Sequence, residues 1–288
     1  MGIYKIYVEL VRPFTLLAPV SGVIAGGIIA SRNFPDVKVI IGACAGMFLN
    51  AASNVINQYF DYEADAINKP QRPIPSKRIL RSQALIFAIT LYIVSFSLAG
   101  SVGLRFFLLI ICGSLFTFFY SAPPLRSKKK PFLNNLAIAF PRGAGVILAG
   151  WSIKKTIFTW EPWFIGFMFT LYLWGAVTTK DFNDIAGDEC EGVKTLPVLY
   201  GREKTIKLIA PFFYIPFFMI PLGILWNILP VSVFPLLLLS VWGRYVVYLI
   251  RKYPCRVAGN ENHISWWHMY CILITGHIGL SIAYLVSL

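Results

Sequence analysis

Of 288 residues, 57% are hydrophobic and 14% charged, whereas an ordinary globular domain carries about 25% charged residues; so apolar a surface excludes a water-soluble domain. The net charge of +13 would suit nucleic acid, but the cations sit in short loops between apolar runs, which points to a membrane instead. The five cysteines, Cys44, Cys112, Cys190, Cys255 and Cys271, lack CxxC spacing and suggest neither a zinc site nor a disulfide framework.

About 20 apolar residues cross the hydrocarbon as a helix. In chain order the qualifying stretches are 13–31, 38–59, 83–102, 104–121, 132–153, 159–179, 205–227, 231–250 and 265–287. They predict an all-α, polytopic membrane protein with about nine transmembrane helices. The first stretch follows Lys5 and Arg12 as a cleaved signal peptide would, but it is longer than the usual apolar core of one and opens a many-helix array, so it is predicted as a helix. Of the 26 Lys and Arg, nineteen from Lys5 to Arg256 fall in loops on one side of the alternating topology. Five fall on the other, Arg32, Lys38, Arg105, Lys154 and Lys155, and two, Arg142 and Arg244, lie inside spans. This bias predicts a multi-pass protein of the cell membrane with a cytoplasmic N-terminus and an external C-terminus. No linker divides the chain, which reads as one domain over 1–288.

Acids are scarce, and eight of the thirteen crowd into two stretches. In the first, Asn57, Asp61 and Asp65 are spaced i, i+4, i+8, which aligns them on one helical face; Glu63 points away and reads as solvated. In the second, Asp181, Asp184 and Asp188 fall at i, i+3, i+7, again one face. The stretches lie about 120 residues apart, each at the end of the second helix of a four-helix unit. Two such units and a ninth helix would bring the acidic ends together, as internal repeats in membrane proteins often do. Taken singly, each cluster reads equally well as a solvated helix end. Together at membrane helix ends, unpaired carboxylates are costly and usually functional. Converging carboxylates repel unless cations neutralise them. A donor set of oxygens without His or Cys favours Mg²⁺, which binds through one or two carboxylates and substrate phosphates. One ion per cluster could clamp a diphosphate, whose departure from an allylic carbon the metals would assist.

Lys180, Arg72 and Lys77 are the cations nearest these clusters, and each is either a diphosphate contact or a topology-setting charge. The Lys128–Lys130 run reads as membrane anchoring. Arg142, inside a span, either snorkels to the surface or meets an anionic substrate group. Tyr120 ends its span just before Ser121-Ala-Pro-Pro-Leu-Arg126. The aromatic content of 16% suits a cavity for an isoprenoid chain and its carbocation, although most rings will face lipid or pack. His263, His268 and His277 read as packing or interfacial residues. A cation channel or transporter is the alternative of a different class, but transporter sites lie near the bilayer midplane, and these clusters lie at one face.

Asn57-xxx-Asp61-xxx-Asp65, Asn68-Lys-Pro-Gln-Arg72-Pro-Ile-Pro-Ser76, Tyr120-Ser-Ala-Pro-Pro and Lys180-Asp181-xx-Asp184-xxx-Asp188 with Thr195-Leu-Pro resemble the UbiA superfamily of intramembrane prenyltransferases over nearly the whole chain. The resemblance implies nine helices around a central cavity with polar caps over a cytoplasmic mouth. It implies that Asp61, Asp65, Asp184 and Asp188 hold Mg²⁺–diphosphate, with Asn57 and Asp181 assisting. Many members have Asp after the motif Asn; here Gln58 follows Asn57, which predicts a missing ligand oxygen. Arg72-Pro-Ile-Pro-Ser76 and the second motif look most like the branch that makes archaeal ether lipids. That likeness implies geranylgeranyl diphosphate as donor and the free hydroxyl of geranylgeranylglyceryl phosphate as acceptor, with basic residues for the acceptor phosphate. An aromatic acceptor, as in quinone or chlorophyll biosynthesis, is the alternative within the superfamily.

Overall fold

A computed structural model of the chain describes residues 2–190, 192–253 and 263–287. Glu191, Cys255 and Arg256, which entered the acid, cysteine and cation counts, lie outside the described residues.

Helix α1 (Ile3–Val11) packs its buried Leu10 with Ile6 and Tyr7 against apolar residues of the helices that follow. It stops where Arg12 takes a left-handed φ of 54°, and Pro13, which has no N–H to satisfy, begins α2 (Pro13–Ser31). The break exposes the carbonyls of residues 10–12, and α3 (Val37–Phe60) supplies donors for two of them from a polar stripe. Asn54 Nδ2 donates to Val11 O and to Thr15 Oγ1, each at 2.8 Å, and Gln58 Nε2 donates to Leu10 O at 2.8 Å. Arg12 O accepts from Thr15 N–H at 2.9 Å. Position 58 is therefore turned away from the cavity and ties α1 to α3. Gln58 is 1% exposed and does not line the cavity.

Asp61 forms a slight break before α4 (Tyr62–Asn68). Then come α5 (Arg81–Val102) and α6 (Leu104–Ser121), joined at Gly103. The predicted span 132–153 is α7 (Leu133–Phe140), a π-helical turn at Pro141–Gly145, and α8 (Val146–Ser152). Next come α9 (Trp160–Ala176) and the short α10 (Ile185–Cys190). The span predicted from 205 begins earlier, as α11 (Leu196–Ile209), because Leu196-Pro197 starts a helix that bends at Gly201 (φ 71°) before the polar turn at 202–204. Two 3₁₀ segments, with Pro211 and Pro216, lead into α12 (Met219–Leu225). A 3₁₀ stretch at Val231–Leu238 precedes α13 (Leu239–Lys252), and α14 (Ile264–Val286) ends the chain. Among the described residues, seven helical stretches are long and apolar enough to cross a membrane. The other two predicted spans fall on the π-interrupted column and on α9 with its 17 residues.

Small residues let helices meet closely where no hydrophobic effect drives them together. At the α2–α8 crossing, a Cβ on Gly26 would lie 2.3 Å from Ile147 O, and one on Gly150 would lie 2.1 Å from Val23 O. Helix α14 packs on α2 and closes the array.

Polar contacts stitch each end of the bundle separately. At one end Lys154 pairs with Asp36, Arg32 lies over the Tyr284 ring, and Tyr284 OH donates to Glu161 at 2.6 Å. At the other, Arg78 grips Glu9 at 2.7 Å and Arg202 donates to Ile250 O and Tyr253 O. Helix α1 and the end of α14 at Tyr284 thus lie at opposite ends of the bundle. The two acidic stretches share the α1 end, because α4 and α10 pack on each other. The expected meeting of the two halves is what the fold presents.

Candidate active site

A cavity of about 320 Å³ runs into the bundle from the α4–α10 contact. Its deep part is apolar, with Val23, Leu109, Ile110, Phe116, Val146 and Leu148 on its walls. Its mouth is built from charged groups. Asn57, Asp61, Asp65, Arg72, Tyr120, Arg142, Lys180, Asp184 and Asp188, all singled out from the sequence, line this one space. Asp181 is 1% exposed and lies behind Lys180, its Oδ1 2.8 Å from the ammonium. Lys77 does not join them; it is exposed, on a left-handed turn residue (φ 58°) outside the cavity. The Arg72–Arg78 loop turns back on itself there and sends Arg78 toward Glu9.

The first acidic stretch stays on one face because hydrogen bonds run through the break, from Asp61 N–H to Asn57 O at 2.9 Å and from Asp65 N–H to Asp61 O at 2.8 Å. Asn57 Nδ2 donates to Asp61 Oδ2 at 2.8 Å and to Ser121 Oγ at 3.1 Å, which fixes the carboxylate against α6. The two stretches are bridged directly. Asn68 Nδ2 donates to Asp184 O at 3.0 Å, its Oδ1 accepts from Gly187 N–H at 3.0 Å, and Lys69 Nζ reaches both Asp184 oxygens at 2.6 and 2.7 Å.

Each acid but one has its cation. Arg72 NH1 meets both Asp65 oxygens, at 2.8 and 2.7 Å, and Lys128 contacts Asp61 with Arg126 3.9 Å away. Lys69 and Lys128 escaped the sequence reading. Lys69 adjoins Asn68 and was available by proximity, whereas Lys128, read as an anchor, is only 5% exposed because its loop folds inward over the mouth. Tyr120 OH donates to Asn134 Oδ1 at 2.9 Å and lies 3.4 Å from Lys180 Nζ.

Burial shapes the protonation of these groups. It raises Asp65 despite Arg72 and Lys69, and it lowers Lys69 despite Asp184. Asp184 feels the same burial, but the Lys69 and Lys180 charges outweigh it and hold the carboxyl below its usual range. Asp188 forms no ion pair among the described residues, and burial followed by the neighbouring Asp181 charge pushes it up to about 8.

This donor set fits a hard divalent cation. It consists of carboxylate and amide oxygens without His or Cys, and the Asp188 carboxyl lacks the positive partner that would ionise it. No three His, Cys, Asp or Glu side chains converge on a single point among the described residues. Each ion would therefore take one or two carboxylates and complete its shell with phosphate and water, which is how Mg²⁺ is commonly held. Asp61 with Asp65, and Asp184 with Asp188, are the residues that could hold it. The lysines between them pair with these carboxylates.

Comparisons with known proteins point the same way. Residues 20–284 match the UbiA prenyltransferase family. A digeranylgeranylglyceryl phosphate synthase of Methanobrevibacter smithii is 31% identical over 283 residues, covering 95% of this chain and 97% of that protein. The protein of that name from Thermococcus kodakarensis is 34% identical over 217 residues, 73% of this chain and 74% of its own. Among solved structures, one of digeranylgeranylglyceryl phosphate synthase superposes with a TM-score of 0.69 at 26% identity, covering 100% of this chain and 99% of the other. A UbiA homologue from Archaeoglobus fulgidus bound to GPP and Mg²⁺ superposes with a TM-score of 0.75 at 21% identity over 98% and 99% of the two chains, a likeness of fold. With its two acidic segments facing each other over one intramembrane cavity, this chain belongs to the UbiA prenyltransferase family.

Proposed function

We propose that the chain transfers a geranylgeranyl group from its diphosphate to the free hydroxyl of geranylgeranylglyceryl phosphate, with Mg²⁺ bound at the cavity mouth. The observation that carries this reading is the direct bridge between the acidic stretches, Lys69 to Asp184 beside Asp61, Asp65 and Asp188, at the polar end of an apolar cavity. The names of the full-length relatives support the choice of donor and acceptor.

Asp61, Asp65, Asp184 and Asp188 would hold the metal–diphosphate, with Asn57 orienting Asp61 and Asp181 anchoring Lys180. Bound Mg²⁺ supplies neutralisation of the departing charge. Lys69, Arg72 and Lys128 exchange carboxylate partners for phosphate oxygens, while Lys180, held by Asp181 and Tyr120, is a donor fixed in advance where negative charge develops. Tyr120 and Asn134 hold Lys180 in place at the boundary between the polar and apolar parts. The bond between the allylic carbon and diphosphate oxygen breaks, with the electron pair leaving on diphosphate. The acceptor oxygen bonds that carbon, and its proton passes to the released diphosphate. The apolar walls keep water from taking the acceptor's place. The Lys and Arg distribution supports a cytoplasmic N-terminus and mouth.

The test is a product assay on the purified chain with geranylgeranyl diphosphate and either a geranylgeranylglyceryl phosphate or an aromatic acid. Diether product, lost on chelation of Mg²⁺ and lost in folded Asp61→Asn and Asp184→Asn, is the expected result. Prenylated aromatic acid in its place would reject the acceptor, and near-normal turnover in both variants would reject the metal assignment.

A further inference from the structure

Two cations fall within predicted spans. Arg244 lies against the Tyr214 ring, whereas Arg142 lines the cavity. Arg142 projects from the π-helical turn Pro141–Gly145, a form of helix found mostly where function requires it. The turn is fixed on α9. Ala144 N–H donates to Thr170 Oγ1 at 3.0 Å, and Thr170 Oγ1 donates in turn to Gly166 O at 2.8 Å. A Cβ on Gly143 would lie 2.5 Å from Thr170 N, so only glycine permits this approach. Arg142 therefore enters the cavity from a held backbone.

Its depth separates it from the mouth. Asn134, which binds Tyr120 beside Lys180, is eight residues earlier on the same helical column, about 12 Å at 1.5 Å per residue. That exceeds the reach of an arginine side chain, so the guanidinium ends below the level of Asn134. No carboxylate pairs with it among the described residues, whereas the mouth balances its own acids and cations. A half-buried guanidinium in an apolar span is costly unless an anion meets it.

We propose that Arg142 is a second anion-binding pole of the cavity, which takes the phosphate monoester of the acceptor; this rests on the reaction read above. An acceptor whose hydroxyl attacks the allylic carbon carries its own phosphate on a neighbouring carbon, close to the diphosphate. Two such anions repel, and a cation standing apart from the diphosphate cradle holds the second one in register. The planar guanidinium matches a phosphate with two parallel hydrogen bonds, which a lysine cannot do.

The experiment measures equilibrium binding to the full-length protein in detergent, without donor, of a non-reactive dialkylglyceryl phosphate and of the same dialkylglycerol without phosphate. Arg142→Gln should weaken the phosphate-bearing probe by about ten- to a hundredfold. Arg142→Lys should recover part of that loss, and the phosphate-free probe should bind both variants as it binds the parent. Thermal stability of Arg142→Gln should match or exceed the parent, because a lone buried cation has been removed. Equal affinity of the parent and Arg142→Gln for the phosphate probe overturns the proposal, as does an equal loss of affinity for Mg²⁺–geranylgeranyl diphosphate. If the turnover assay yields only prenylated aromatic acid, the reaction fails on its own; the binding comparison still decides whether Arg142 holds a phosphate.

Discussion

Lys69 joins segments 115 residues apart in sequence through both oxygens of Asp184. The two side chains are 5% and 15% exposed, so water can replace little of the pairing. Replacing Lys69 by Met keeps the stem and removes the charge. Breaking a buried pair by removing one partner costs about 3–5 kcal/mol. Lys180 still lies in the field of Asp184, so the lower end, about 3 kcal/mol, is expected. Asp184→Asn should cost less, because burial already favours the neutral form of Lys69. In the double variant neither charge is stranded, and the coupling across the cycle should be about 2 kcal/mol. Equilibrium unfolding of the four proteins in mixed micelles, followed by far-UV circular dichroism, reads all four corners. Additive single effects, with coupling below about 0.5 kcal/mol, would mean that Lys69 and Asp184 are not paired, and the charged bridge between the two acidic segments would be refuted.

Two further outcomes test the scaffold. Gly150→Ala places a methyl against the Val23 carbonyl, backbone that cannot step aside, and should cost about 1–3 kcal/mol in the same unfolding assay; an unchanged midpoint would mean the α2–α8 crossing is looser than described. His263 caps α14, with Nδ1 accepting from Ser265 N–H at 3.2 Å and Nε2 donating to Tyr253 O at 2.6 Å. Burial lowers its folded pKa below the ordinary 6.5. The unfolded chain then takes up a proton that the folded cap resists, so stability is full above about pH 6.5 and falls below it. His263→Asn, a cap without a titrating ring, should flatten the decline between pH 7 and 5.5, and parallel slopes would refute the assignment.

Much of this molecule was legible before any coordinates. Hydropathy located the helices because a bilayer demands long apolar stretches, and i, i+4 spacing aligned the acids because α3 and α4 stay in register through Asp61. What sequence spacing could not supply was who faces whom across the bundle. Lys69 and Lys128 resemble any loop cation until the α4–α10 contact and the inward loop give them carboxylates. Lys77 lies close to Arg72 in sequence, yet the turn carries it outward. Gln58 was misread by its neighbour. One residue on from Asn57 is about 100° around the helix, and position 58 belongs with Asn50 and Asn54 on the stripe that holds the α1–α2 break. That stripe was visible as an i, i+4, i+8 pattern of amides. The start of α11 was hidden because polar residues at 202–204 follow a kink rather than a loop.

At the mouth, five carboxylates (Asp61, Asp65, Asp181, Asp184, Asp188) stand among five basic side chains (Lys69, Arg72, Arg126, Lys128, Lys180). Asp188, pushed up to about 8, is largely neutral at pH 7, so the cations outnumber the ionised acids there, on a chain that is strongly basic as a whole. A pyrophosphate therefore approaches an entrance of opposite sign, whereas a bare metal ion is not drawn to it. Capture then combines that attraction with short-range exchange of partners and with the greasy tail finding the apolar walls, which makes the encounter rate of the diphosphate fall as ionic strength rises.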